Sequence, residues 1–102
     1  MSRYDAFVRQ ALAAITEAKG ETAADMRRAL VEGRCDQVPA ALKPYAEKVA
    51  RRAWEITDAD VDALRARGYT EDQIFEATAS AAMGAAVMRL NKAMAVLREG
   101  RA

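Results

Sequence analysis

Apolar residues recur along this chain at spacings of three and four, interrupted at a few glycines and prolines. That period gathers them on one face of a helix, whereas a strand alternates. The first helix is expected to begin after Ser2, a good N-cap, with Asp5 in its opening turn. Phe7, Ala11, Ala14, Ile15 and Ala18 share its apolar face, widened by Val8 and Leu12, and Gly20 ends it. Glu21 and Thr22 open a second helix with a stripe at Met26, Ala29 and Leu30. Lys19, Arg27, Arg28 and Glu32 are left to water, and Gly33 is the stop.

Residues 34–43 read as a loop. Val38 and Lys43 each precede a proline, which biases both away from helix. Pro39 and Pro44 suit first-turn positions. The pattern predicts one turn after Pro39 and a helix from Pro44 to about Glu55, with the line Tyr45, Val49, Ala53 and Ile56. Thr57 to Asp60 then forms a cap, followed by a short helix with Val61 and Leu64 on its apolar side. Arg65 and Arg67 complement its C-terminal dipole, and Gly68 takes the left-handed position past its end.

Thr70 to Gln73 is a full capping box, with Tyr69 placed to staple onto Ile74. The last helix is expected from Glu71 to about Arg98. Its middle, residues 77–86, is small and apolar all round, a pattern of burial on several sides. Gly84 costs about 1 kcal/mol against Ala in a helix, so a close helix–helix contact is expected there. Met83, Val87, Leu90, Met94 and Leu97 restore the period at the end. No strand pattern or repeat appears. The whole reads as an all-α domain of about five helices with a long alanine-rich C-terminal helix, one domain over residues 1–102.

Composition narrows the function. Sixteen basic against fifteen acidic residues leave a net charge of +1, without the basic excess of a nucleic-acid binder. The unit of two helices around Gly68 invites a DNA-reading interpretation, but the second helix opens with Glu71, Asp72 and Glu76, which phosphate repels. The longest uncharged run is far shorter than the ~20 residues that span a bilayer, and no signal peptide is evident, so a cytoplasmic protein is expected. One cysteine and no histidine remove an internal disulfide, the usual general base and the usual transition-metal ligand.

Cys35 is the one candidate for a reactive thiol: Arg34 lowers its pKa, Asp36 opposes that, and an inert thiol is the plainer reading. Glu55, Asp58, Asp60 and Asp62 cluster, but they sit where a helix start favours acids without any ligand. Lys43, Lys48, Arg51 and Arg52 form a mild basic group that Glu47 and Glu55 can neutralise at helical spacing. Trp54 adjoins the apolar line and reads as a core or interface anchor.

The run from Val61 through Gly68, Tyr69, Thr70, Glu71 and Asp72 to Ile74 and Phe75, then alanines and the pair Arg89, Leu90, resembles the alkylhydroperoxidase (AhpD-like)/carboxymuconolactone decarboxylase superfamily. The resemblance spans residues 53–97 at most, with an AhpD-like core over 44–98. It implies an all-helical fold that assembles into oligomers. The peroxidase branch carries Cys-x-x-Cys-x-x-x-His ahead of the glycine. Those positions fall here at Ala53, Ile56 and Asp60, so no catalytic residue carries over. The decarboxylase branch relies on histidine, which the chain lacks.

The expectation is therefore a homo-oligomeric structural or interaction protein, not a redox enzyme. No catalytic, cofactor or metal residues are assigned, and no nucleic acid or membrane partner. Trp54, Phe75, Met83, Gly84 and Met88 are the expected contacts between copies. The alternative is a divergent cofactor-free enzyme or small-ligand binder of the same family.

Overall fold

The computed structural model describes residues 3–17, 20 and 22–100, without the side chains at positions 3, 4 and 35. It is all-α among those residues: α1 (Arg3–Glu17), α2 (Ala24–Glu32), α3 (Lys43–Arg52), α4 (Asp58–Ala66) and α5 (Glu71–Gly100). Single 3-10 turns lie at Cys35–Gln37 and Ala53–Glu55. At ~1.5 Å per residue, α5 is about 45 Å long. It is the spine on which all four shorter helices pack, α2 and α3 most extensively.

Local chemistry sets the helix ends. Gly33 (φ +70°) and Gly68 (φ +96°) are both left-handed, a region that costs other residues steric energy. Each completes a Schellman motif. Gly33 N–H donates to Leu30 O and Arg34 N–H to Ala29 O; Gly68 N–H donates to Arg65 O and Tyr69 N–H to Leu64 O. The capping box before α5 forms in both directions: Thr70 N–H to Gln73 Oε1 at 2.9 Å, Gln73 N–H to Thr70 Oγ1 at 3.1 Å. A turn follows Pro39, where the N–H groups of Leu42 and Lys43 both reach Pro39 O.

The core joins Ala29, Leu30, Val38, Leu42, Tyr45 and Val49 to Leu64, Ile74, Ala77 and Ala81. It thus draws on α2 and the loop after it, and extends beyond residues 44–98. Tyr45 reaches into it with its hydroxyl 2.7 Å from Thr78 Oγ1. Thr78 already donates to Ile74 O, so Tyr45 is the donor.

Several expectations are corrected. On α1, Phe7 is 69% exposed and Ala14 is exposed. The inward residues are Val8, Ala11, Leu12 and Ile15, half-buried, with Thr16 buried. Ala18 and Lys19 lie outside the described residues. Arg27 does not face water: it is only 5% exposed, and its Nη1 donates to Ile15 O at 2.8 Å. Ile15 is in the last turn of α1, where carbonyls lack intrahelical partners and a cation is favoured by the dipole. Arg28 is half-buried and pairs with Asp25.

The helix expected to reach Glu55 stops at Arg52, whose φ of −144° is not helical. Ala53 is consequently exposed, off the apolar line it was expected to extend, while Ile56 is half-buried against the core. The middle of α5 is buried on one side only, because Ala82 and Ala86 face water. The close approach at Gly84 lies within the chain. A Cβ there would sit 2.8 Å from the carbonyl carbon of Val31 and 2.9 Å from its Cα, so α2 and α5 meet backbone to backbone.

Candidate functional site

The positions where the resemblance would put two thiols and an imidazole hold two apolar side chains and a carboxylate. Ala53 lies exposed on the 3-10 turn and Ile56 packs toward the core. Asp60 is the third residue of α4, and its carboxylate is fully engaged. It accepts from Thr57 N–H at 2.9 Å and from Lys48 Nζ at 3.1 Å on both oxygens. The Thr57 amide, then the Lys48 ammonium, hold the Asp60 carboxyl below its ordinary range against a small opposing cost of desolvation. A carboxylate stabilised as the anion is a weak proton acceptor, so Asp60 is a cap and an ion-pair partner. None of the three lines the cavity between α2, α3 and α5 described below.

The neighbouring acids are used similarly. Asp62 pairs with Arg65 at 3.1 Å, and Glu55 lies 3.8 Å from Arg52. Arg65 also reaches Glu71 at 2.6 Å, tying the two helices of the Gly68 hairpin. These pairs are exposed, each worth about 0–1 kcal/mol. Among the described residues, no group of three or more His, Cys, Asp or Glu side chains converges as a metal site. Cys35 lies on the 3-10 turn Cys35–Gln37; its side chain is outside the described residues.

The residues expected at an interface fall in three places. Trp54 is 80% exposed on the turn after α3, and Phe75 is 71% exposed on the outer face of α5. Met83 is half-buried. Gly84 is buried against Val31 and is unavailable to a second chain. Met88 is 64% exposed at the rim of a cavity.

The outer face of α5 carries a long apolar stripe. Ile74, Ala77, Ala81 and Gly84 turn toward the core. Opposite them, at ~100° per residue, run Phe75, Ala79 and Ala82, then Ala86, Leu90, Ala93 and Leu97. All are exposed except half-buried Ala79. The spacing repeats every eleven residues, close to the period of a straight helix, so the stripe stays on one side for six turns.

A cavity of about 390 Å³ lies between α2, α3 and α5. Its walls are mostly small and apolar, including Leu30, Ala46, Ala50, Ala81 and Ala85. Lys43, Arg51 and Arg89 line it together with Glu32 and Glu47. Arg89 Nη2 donates to Ala50 O at 2.7 Å, capping the last turn of α3 as Arg27 caps α1. Both arginines escaped sequence reasoning. An arginine reaching another helix's carbonyl leaves no mark on its own helix's periodicity.

No family model, curated protein or solved structure matches the chain. No helix of the described residues is long and apolar enough to cross a membrane.

Proposed function

We propose that the chain is a divergent, redox-silent relative of the AhpD-like superfamily, acting as a homo-oligomeric structural or interaction protein. The observation that carries this reading is the second apolar face of α5. A long apolar stripe on a second face of a helix marks a surface for another protein to cover. The core covers one.

The proposed cover is a second copy of α5, antiparallel. Phe75 and Leu97 each stand eleven residues from Ala86, Ala79 and Ala93 seven, Ala82 and Leu90 four. A two-fold axis at Ala86 therefore sets Leu90 against Ala82 and Phe75 against Leu97, large beside small at the centre and large beside large at the ends. Charge agrees with this direction. Glu71 and Asp72 open the helix, while Arg89, Lys92 and Arg98 outnumber the one acid, Glu99, in its second half. Antiparallel pairing brings opposite signs and opposite dipole ends together. The turn chemistry at Gly68 and Thr70 supports the family reading, and the capped Asp60 and exposed Ala53 support the loss of its chemistry.

The test is sedimentation of the full chain beside Leu90→Glu and Ala86→Glu. Both sites are exposed, so helicity by circular dichroism should hold. The reading expects the wild type to assemble and both variants to fall to 11.1 kDa. An assembly unaffected by either charge would place the contact elsewhere.

A further inference from the structure

We propose that the cavity between α2, α3 and α5 binds a small amphiphilic carboxylate, with the anionic head on Arg51 and Arg89 and the apolar body along Ala50, Ala46, Ala85 and Ala81. The inference goes beyond the assembly role: the cavity uses Ala81, Gly84, Ala85 and Met88 of α5, on the face away from the Ala86 stripe, with Arg89 at the edge between the two.

Size and lining come first. A volume of about 390 Å³ is within the range of ligand pockets, ~300–1,000 Å³. The alanines of α3 and α5 leave the space that larger side chains would fill. Gly84 holds α2 against α5 on one side, so the space opens toward α3.

Charge then selects the ligand. Arg89 is held with its guanidinium on the carbonyl of Ala50, Arg51 follows Ala50 in the last turn of α3, and both arginines line the cavity. One Arg89 nitrogen is committed to that carbonyl; the others remain for a ligand. The side chain of Arg51 makes no hydrogen bond or ion pair with the described residues, and neither does the side chain of Lys43 at the start of α3. Of the two acids, Glu32 is held by Arg34 at 2.8 Å, which leaves Glu47 as the one acid against three cations. Guanidinium pairs match a carboxylate in shape and charge. An apolar trough lined by two arginines therefore favours an anion with a hydrocarbon body over a neutral or cationic one.

The probes are decanoate, decan-1-ol and decylammonium, titrated calorimetrically into the wild type and into Leu90→Glu. Decanoate should bind saturably, at least tenfold tighter than the alcohol, with the ammonium weakest, and equally to both proteins. Arg51→Gln changes an exposed side chain and should preserve the fold; it should weaken decanoate about tenfold and leave decan-1-ol unchanged. Ala85→Leu, checked by circular dichroism, should weaken both. Equal affinity for decanoate and decan-1-ol, an unaltered decanoate affinity in Arg51→Gln, or no saturable decanoate binding would each overturn the proposal.

Discussion

Gly84 of α5 lies directly against the backbone of Val31 in α2, at a separation that no Cβ can enter without moving one of the helices. Two effects of Gly84→Ala oppose each other. Alanine gains about 1 kcal/mol of helix propensity. Overpacking against backbone, which cannot swing aside as a side chain can, costs ~1–3 kcal/mol or more. We expect the second to win, so that Gly84→Ala lowers the urea midpoint. A raised midpoint would show that the helices separate freely.

Gly68 fails differently under the same substitution. Nothing lies within 4 Å of a Cβ there, but φ is +96°. Gly68→Ala should cost about 1 kcal/mol or somewhat more through backbone strain alone. Thr70→Ala, two residues on, removes the cap of α5 and should cost ~0.5–2 kcal/mol. Denaturant unfolding of both variants measures the two effects, and an unchanged midpoint in either would contradict the corresponding motif.

Asp60 gives a pH dependence of definite sign. Its folded pKa is lowered, chiefly by the Thr57 amide and next by Lys48. Its contribution is therefore fully present above the unfolded aspartate pKa of about 3.9 and is lost as pH falls through the lower folded value. Lys48→Gln should raise the Asp60 carboxyl pKa in an NMR titration yet leave it below the ordinary value, because the amide remains. A return to the ordinary value would mean that Lys48, not the cap, dominates.

Peroxide turnover tests the emptied redox site. With Ala53, Ile56 and Asp60 where a thiol pair and an imidazole would stand, we expect no thiol-dependent peroxidase activity. The assay compares wild type with Cys35→Ser. A measurable activity abolished by that substitution would make Cys35 a working thiol.

The parts of the fold legible in the sequence are those fixed by local chemistry. Gly33, Gly68, Thr70 and Gln73 act on their own neighbours, so their types and spacing announce them. Arg27 and Arg89 act across the fold, on carbonyls of α1 and α3, and their burial or placement depends on where those helices end. The end of α3 at Arg52 was hidden for a related reason: Ala53 and Ile56 continue the apolar period in sequence while the backbone leaves the helix. α5 posed a third problem. Apolar side chains all round showed that more than one face needed covering, but only the packed structure separates the core face at Ala77 and Ala81 from the outer face at Ala82 and Ala86. The same separation moved Gly84 from a contact between copies to one within the chain.

The central claim is that the outer face of α5 is covered by another copy of this chain. Sedimentation equilibrium of the unmodified protein over a wide concentration range tests it most directly. The account predicts a mass that is a multiple of 11.1 kDa, with dissociation only on dilution. A single species of 11.1 kDa persisting at the highest concentration would contradict it.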